Sequence, residues 1–231
     1  LAGGYTCIAF DRRESGRSGG RLERVTWAQY AAQGIGLLDH LGIERAHLIG
    51  GCVGCSVAAA AAVARPDRVL SMVLYSPAGG VKYRMKQHQR FARHLSYVDE
   101  NGLPAVVELA GATEQGFSAD PRVGPWVSLL RNDPAFADRY ASTDPDRYRL
   151  LVEGMARLLF DRDTVPGVEP EDLLRLEVPA LIVPGQDDSH APSAAHYLRE
   201  CLPRSECWDV PVAEQTESTA GARVLRFLGA T

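Results

Sequence analysis

The sequence has few lysines, no excess of basic residues and no long apolar run. Lys82 and Lys86 are its only lysines among 231 residues, and the formal net charge is −4 with a pI near 5.9. Because there is no basic stripe, we do not expect nucleic acid as a partner. No apolar run approaches the roughly 20 residues that span a bilayer, so we do not expect a membrane partner either.

The five cysteines are odd in number and lack the paired spacing of metal ligands. We therefore expect no metal and no cofactor, and a reducing cytoplasm is the default location. Cys52 and Cys55 form a single C-x-x-C motif. A thioredoxin-like redox pair is one interpretation of this motif, but the glycines around Cys52 favour another. The remaining cysteines are expected to be small core residues: Cys7, Cys201 and Cys207.

The most specific signal in the chain is a stretch of five residues: Gly50, Gly51, Cys52, Val53 and Gly54. It follows a short apolar run and opens a helix of small residues. Glycines that flank one reactive residue between a strand and a helix are typical of a nucleophile elbow, because the turn leaves no room for larger side chains. The helix N-terminus favours a thiolate, which is the species that attacks. The pattern predicts Cys52 as a nucleophile.

With this elbow, the chain resembles the α/β-hydrolase fold family over nearly its whole length. Residues 5–10 are predicted to form a buried strand, and residues 11–18 are similar to the D-x-R-G-x-G-x-S loop of the family, with Glu14 in place of a glycine. Residues 178–188 resemble the strand and loop that deliver the catalytic acid of the family. The resemblance implies an α/β fold with a mostly parallel sheet, flanking helices and a helical cap over the nucleophile.

The alternation of strand and helix patterns also predicts a mostly parallel sheet covered on both faces. The resemblance implies a core at 1–81 and 177–231 and a cap insertion at 82–176, where the pattern is helical, charged and interrupted by prolines. The predicted later strands are 47–49, 69–75, 178–183 and 206–210. The predicted helices are 27–41, 55–64, 85–98, 104–109, 125–131, 146–160, 191–201 and 219–228.

The sequence also offers candidates for the acid and the base that would act with this nucleophile. By spacing from Gly185, Asp188 fits the acid position of the family best, and Asp187 is the alternative. The family's histidine normally follows the last strand, but no histidine occurs after His196. We expect His190 to replace it as the base, because a neighbouring carboxylate stabilises an imidazolium. A surface histidine at the start of a helix is the alternative interpretation.

The backbone N–H of Val53, the residue after the nucleophile, is the expected oxyanion donor. In the family, a second donor comes from a loop that follows an earlier strand beside the elbow strand. The chain starts at Leu1 without such a segment. We therefore expect an N-terminally incomplete chain that lacks some strands and half of an oxyanion hole, with a naturally shortened variant as the alternative.

These features predict a hydrolase that acts on a small ester, lactone or thioester through an acyl intermediate on Cys52. Dienelactone hydrolases show that this fold can work with a cysteine elbow. The alternative is a non-catalytic or ligand-sensing member of the fold, which the absence of a late histidine favours. A cofactor-free lyase would also need a base. We expect a small-molecule substrate, and a homodimer and a monomer both stay open.

Overall fold

The computed structural model describes residues 4–161 and 164–231. Within them, four parallel strands form one sheet in the order β1-β2-β3-β4. The strands are β1 (Ala46–Cys52), β2 (Val69–Pro77), β3 (Ala180–Val183) and β4 (Ser205–Cys207). This arrangement confirms the predicted parallel α/β sheet.

Helices precede, connect and follow the strands along the chain. They are α1 (Trp27–His40), α2 (Gly54–Ala64), α3 (Val81–Ala112), α4 (Val127–Asn132), α5 (Pro134–Ala141), α6 (Pro145–Phe160), α7 (Pro170–Leu173), α8 (Pro192–Cys201) and α9 (Glu217–Gly229). Helix α3 is interrupted at Gly102, whose φ of 80° is not helical, so two helical segments lie where the sequence predicted two. None of the helices in the described ranges combines the length and apolar character that a membrane span needs.

The chain divides into two compact units. The first, called the sheet unit below, comprises Leu1–Ile8, Thr26–Arg84 and Leu159–Thr231. The second, called the helical unit, comprises Ala9–Val25 and Met85–Leu158. The helical unit thus ends before the predicted cap boundary at 176 and includes a loop from the front of the chain. That this unit acts as a cap stays a prediction.

Alternate residues of the central strands form the two faces of the sheet, because side chains on a strand alternate with a period of two. On one face, Val73, Leu181 and Val183 pack with Val224, Phe227 and Leu228 of α9. On the other face, Met72, Leu74, Ala180 and Ile182 pack in a cluster with side chains of α2 and α8. Burial on both faces explains why β2 and β3 read as continuous apolar runs.

Small residues let α2 approach β1 closely. A Cβ atom on Gly50 would lie 2.2 Å from the carbonyl oxygen of Gly54 and 2.7 Å from the backbone nitrogen of Cys55. The contact between strand and helix is therefore backbone to backbone at this point. Five consecutive alanines of α2, at 58–62, are buried behind it.

The predicted strand at 5–10 is wrong. These residues form no strand and are mostly exposed, with Ile8 at 43% and Phe10 at 45% of full exposure. A strand needs a hydrogen-bonded neighbour, and in the described residues β1 pairs with β2 alone. The resemblance implied an earlier strand beside the elbow strand, and no such strand lies within the described residues.

The core of the helical unit contains a buried series of hydrogen-bonded polar groups. His94 Nδ1 lies 3.2 Å from the carbonyl oxygen of Arg122, which only accepts, so Nδ1 carries the proton. His94 Nε2 then accepts from the Tyr148 hydroxyl at 2.6 Å, and the Tyr148 and Tyr140 hydroxyls are 2.6 Å apart. Burial lowers the pKa of His94 to about 4, so the imidazole is neutral at pH 7.

We expect the free energy of unfolding to fall as pH decreases from about 6.5 towards about 4. The unfolded chain protonates His94 near the ordinary pKa of 6.5, whereas the folded unit resists protonation down to about 4. The unfolded state thus binds more protons between these two pH values. Up to about 3 kcal/mol of the free energy of unfolding is therefore present above pH 6.5 and lost as the pH falls to about 4. Chemical denaturation at pH 7 and pH 4.5 measures the effect. His94→Gln keeps one donor and one acceptor but does not titrate, so its pH slope should be shallower; equal slopes would contradict the assignment.

Gly50→Ala should destabilise the sheet unit by about 3 kcal/mol or more, because the new methyl group meets backbone atoms that cannot rotate away. Gly51→Ala is the matched control, since a Cβ there would meet only the Tyr75 carbonyl oxygen at 3.9 Å. Thermal and chemical denaturation of both variants provides the comparison. Equal stability losses would show that the close approach at Gly50 has no special cost.

Candidate active site

Cys52 occupies a strained turn between β1 and α2. Its φ is 55°, in the left-handed region that residues other than glycine rarely adopt. Its side chain is exposed, and α2 begins two residues later at Gly54. The amide of Val53 precedes the first hydrogen-bonded turn of α2, where N–H groups have no helical acceptor. This strand–turn–helix geometry places the exposed Cys52 side chain beside the backbone N–H groups at the start of α2.

The neighbouring end of β2 is irregular as well. Gly51 pairs with Tyr75 but Cys52 pairs with Pro77, so Ser76 is an extra residue in the ladder. The φ of Ser76 is 45°, and the irregularity bends the chain at the point where it passes Cys52. Two adjacent strand ends thus hold residues in sparsely populated backbone conformations. Such strain is concentrated at functional sites more often than elsewhere.

Asp187 and His190 form a pair in the loop that follows β3. Asp187 Oδ2 lies 2.8 Å from His190 Nδ1, and Asp187 Oδ1 accepts from the backbone N–H groups of Ser189 and His190 at 2.7 Å and 3.0 Å. The hydrogen bond from His190 is the main cause that lowers the pKa of Asp187. An ionised Asp187 accepts from Nδ1–H and thereby favours the tautomer in which Nε2 carries the free electron pair.

Asp188 contacts a different group. Its carboxylate lies 2.9 Å from Lys82 Nζ, and both side chains are more than half exposed, at 53% and 73%. The sequence favoured Asp188 as the acid on spacing and kept Asp187 as the alternative. In the structure Asp187 is the carboxylate that bonds His190. The loop folds back on Gly185, where an added Cβ would lie 2.4 Å from His190 Cβ, and this reversal aligns position 187 with the imidazole.

Two consecutive backbone N–H groups join the elbow to this loop. Ala78 donates to the carbonyl oxygen of Cys52 at 3.3 Å, and Gly79 donates to the carbonyl oxygen of Ser189 at 3.0 Å. Gly79 and His190 also form an isolated parallel bridge. Cys52 and His190 therefore flank the same short segment at the carboxyl end of the sheet. No hydrogen bond joins the two side chains within the described residues.

Cys55 lies behind the elbow and makes contacts that the sequence did not predict. Its thiol lies 3.2 Å from the carbonyl oxygen of Gly50 and 3.4 Å from that of Tyr75, and the residue is buried. Burial, with a smaller contribution from the charge of Cys52, raises the pKa of the Cys55 thiol. Cys55 is thus a neutral donor. In the sequence, Cys55 stands in the first turn of the helix that follows the elbow. That position could have indicated a contact between its thiol and the preceding strand.

The loop after β4, where the family has its histidine, is held by an amide. Gln215 Nε2 donates to the carbonyl oxygens of Pro184 at 2.8 Å and Val210 at 3.1 Å. Gln215 thus ties this loop to the start of the loop that holds Asp187. A carboxamide does not titrate near neutral pH, so it cannot act as a base. In the described ranges, no group of three or more His, Cys, Asp and Glu side chains could hold a metal ion.

The loop at 11–18 belongs to the helical unit. Glu14, which stands in place of a glycine, has a φ of 63° and therefore keeps a left-handed conformation that glycine adopts without steric cost. Its side chain is 5% exposed and accepts from Arg13 Nε at 2.7 Å. Burial raises the pKa of the Glu14 carboxyl above its ordinary value. Glu14 thus combines a left-handed backbone conformation with a buried, ion-paired side chain.

Curated relatives match parts of the chain. It is 46% identical over 79 residues to the dihydrolipoyllysine-residue acetyltransferase component of an acetoin cleaving system from Cupriavidus necator, a match that covers 34% of this chain and 21% of that protein. It is 26% identical over 191 residues to the uncharacterized hydrolase YugF of Bacillus subtilis, covering 81% of this chain and 65% of that protein. The chain spans less than two thirds of the length of these relatives.

The fold and the sequence lead to the same family. The structure of Rv0554 from Mycobacterium tuberculosis superimposes with a TM-score of 0.60 at 22% identity, and the match covers 100% of this chain and 81% of that chain. At this identity the likeness shows the fold alone. Residues 1–214 match the family described as alpha/beta hydrolase fold. The chain therefore belongs to the α/β-hydrolase fold family.

Proposed function

We propose that the chain hydrolyses a small ester, lactone or thioester through a covalent acyl intermediate on Cys52. The observation that carries this proposal is the exposed cysteine at a φ of 55° in a strand–turn–helix elbow. A strained backbone that presents one nucleophilic side chain in front of a helix N-terminus has a chemical use that a buried core cysteine does not. The family and a relative named as a hydrolase support the same reaction class.

In the proposed reaction, His190 Nε2 takes the proton of the Cys52 thiol, and the resulting thiolate attacks the carbonyl carbon and forms a tetrahedral intermediate. The Val53 N–H donates a hydrogen bond to the oxyanion. The intermediate collapses, the bond to the leaving group breaks, and the leaving group takes a proton from His190. A water molecule then gives a proton to His190 Nε2 as it attacks the acyl carbon. The bond between that carbon and the Cys52 sulfur breaks, which releases the acid product, and the sulfur takes its proton back from His190. Asp187 holds the imidazole in the required tautomer.

A ligand-binding protein that has lost this reaction is the second candidate. It is favoured by the loop after β4, where the Gln215 amide bonds two carbonyl oxygens in place of a histidine. Such a protein keeps the fold and can bind a small molecule without forming an acyl intermediate. The two candidates differ in one measurable event, which is covalent modification of Cys52.

We expect a short activated thioester to give an acyl adduct on Cys52 that disappears as turnover proceeds. Intact-mass spectrometry over time and peptide mapping measure the adduct, and mapping separates Cys52 from the exposed Cys7. Cys52→Ala should form no adduct at the elbow. An adduct that forms and persists would mean that the nucleophile reacts but deacylation fails. No adduct on folded protein would favour the ligand-binding alternative.

Asp187→Asn and Asp188→Asn form a matched pair that tests the His190 assignment. Asp187→Asn should slow deacylation by about 100-fold, because it disturbs the tautomer of a general base. Asp188→Asn should change the rate little, since its contact with Lys82 is an exposed ion pair. Single-turnover deacylation rates provide the comparison, with His190→Ala alongside. If all three variants deacylate at the same rate, His190 is not the base.

A further inference from the structure

We propose that Cys55 is a positioning residue, whose neutral thiol ties α2 to the ends of β1 and β2 and thereby holds Cys52 in front of the helix N-terminus. The inference rests on the proposed role of Cys52 as the nucleophile. It concerns the second cysteine of the C-x-x-C motif, which takes no part in the reaction as proposed. Cys55 does not touch the substrate, and it acts through the backbone on either side of Cys52.

The contacts of Cys55 reach both strands at the elbow. Its Sγ lies 3.2 Å from the carbonyl oxygen of Gly50, two residues before Cys52, and 3.4 Å from that of Tyr75 on β2. Cys55 is 1% exposed, so water does not compete with the two carbonyl oxygens for its S–H group. One S–H group thus joins the first turn of α2 to two adjacent strands in a three-centre hydrogen bond.

The two carbonyls lie where the ladder between the strands becomes irregular. The register passes from Gly51 opposite Tyr75 to Cys52 opposite Pro77, and Ser76 is left over. Pro77 has no N–H group, so it offers Cys52 no donor. The next donor in the chain is Ala78, just after β2, which bonds the Cys52 carbonyl oxygen at 3.3 Å. Cys55 therefore contacts the strands on the near side of the irregularity, and Ala78 contacts Cys52 on its far side.

The charge state of Cys55 suits this role. Burial raises the pKa of its thiol, and a thiolate at Cys52 raises it further, so Cys55 stays protonated when Cys52 ionises. A protonated thiol keeps its donor and adds no negative charge beside the nucleophile. A redox partner would instead need to attack as a thiolate, and a Cys52–Cys55 disulfide would remove both the donor and the nucleophile.

The test compares one variant that keeps a donor with two that lack one. Cys55→Ser keeps a hydroxyl donor, Cys55→Ala removes the donor, and Cys55→Val removes the donor but retains side-chain bulk. For each folded variant, the rate of Cys52 alkylation by iodoacetamide is measured against pH, with peptide mapping to separate Cys52 from Cys7. Cys201→Ala, which removes another buried thiol in α8, is the control for a stability loss alone.

We expect Cys55→Ser to keep the wild-type pH profile. Cys55→Ala and Cys55→Val should slow alkylation of Cys52 at pH 7 by about tenfold, because a loosened turn no longer holds the sulfur in front of the helix N-terminus. Cys201→Ala should lower the melting temperature and leave the profile unchanged. If only one donor-free variant folds, that variant alone is compared with Cys55→Ser.

Two results would overturn the proposal. The first is that the donor-free variants lower the melting temperature but keep the wild-type alkylation profile, which would make Cys55 an ordinary core residue. The second is a loss of two hydrogens from the wild-type protein on treatment with peroxide, mapped to a Cys52–Cys55 disulfide. Alkylation by iodoacetamide needs no acyl substrate. A failure of the proposed hydrolase activity would therefore appear in the thioester experiment, and the alkylation rates of the Cys55 variants could still be compared.

Discussion

The candidate site depends on one steric condition, which is that α2 meets β1 with no side chain between them. The carbonyl group of Gly54 lies where a Cβ of Gly50 would be, and only glycine at position 50 permits this. The close approach forces the chain to reverse within two residues, and Cys52 takes a positive φ to complete the reversal. The buried alanines of α2 keep the helix close to the sheet beyond this point, because larger side chains would lift the helix away from the strands.

Much of this could be predicted from the sequence because it depends on local patterns. The spacing of glycines around Cys52 indicates the turn, and the apolar runs of β2 and β3 indicate strands that are buried on both faces. The strand at 5–10 could not be predicted in the same way. A strand exists through its partner, and an apolar run does not show whether a neighbouring strand will be present to bond it.

The details of the site depend on contacts between distant residues. Asp187 and Asp188 are adjacent and chemically identical, so counting from Gly185 cannot distinguish them. The choice is made by the reversal of the loop, which brings His190 over Gly185 and leaves Asp187 bonded to the His190 imidazole and Asp188 bonded to Lys82. Cys55 is a similar case, since its two acceptors come from strands that are 25 residues apart in sequence, at Gly50 and Tyr75.

The bonds from Ala78 and Gly79 have a consequence for the chemistry that this position can carry. They locate Cys52 through its carbonyl oxygen and locate the loop of His190 through that of Ser189, so the alignment of the two is made by main-chain atoms. The side chain at 52 contributes to neither bond. A cysteine, a serine or an aspartate at position 52 would therefore be held by the same main-chain hydrogen bonds. Exchanging the side chain at position 52 would therefore leave both hydrogen bonds, and the loops that they join, in place.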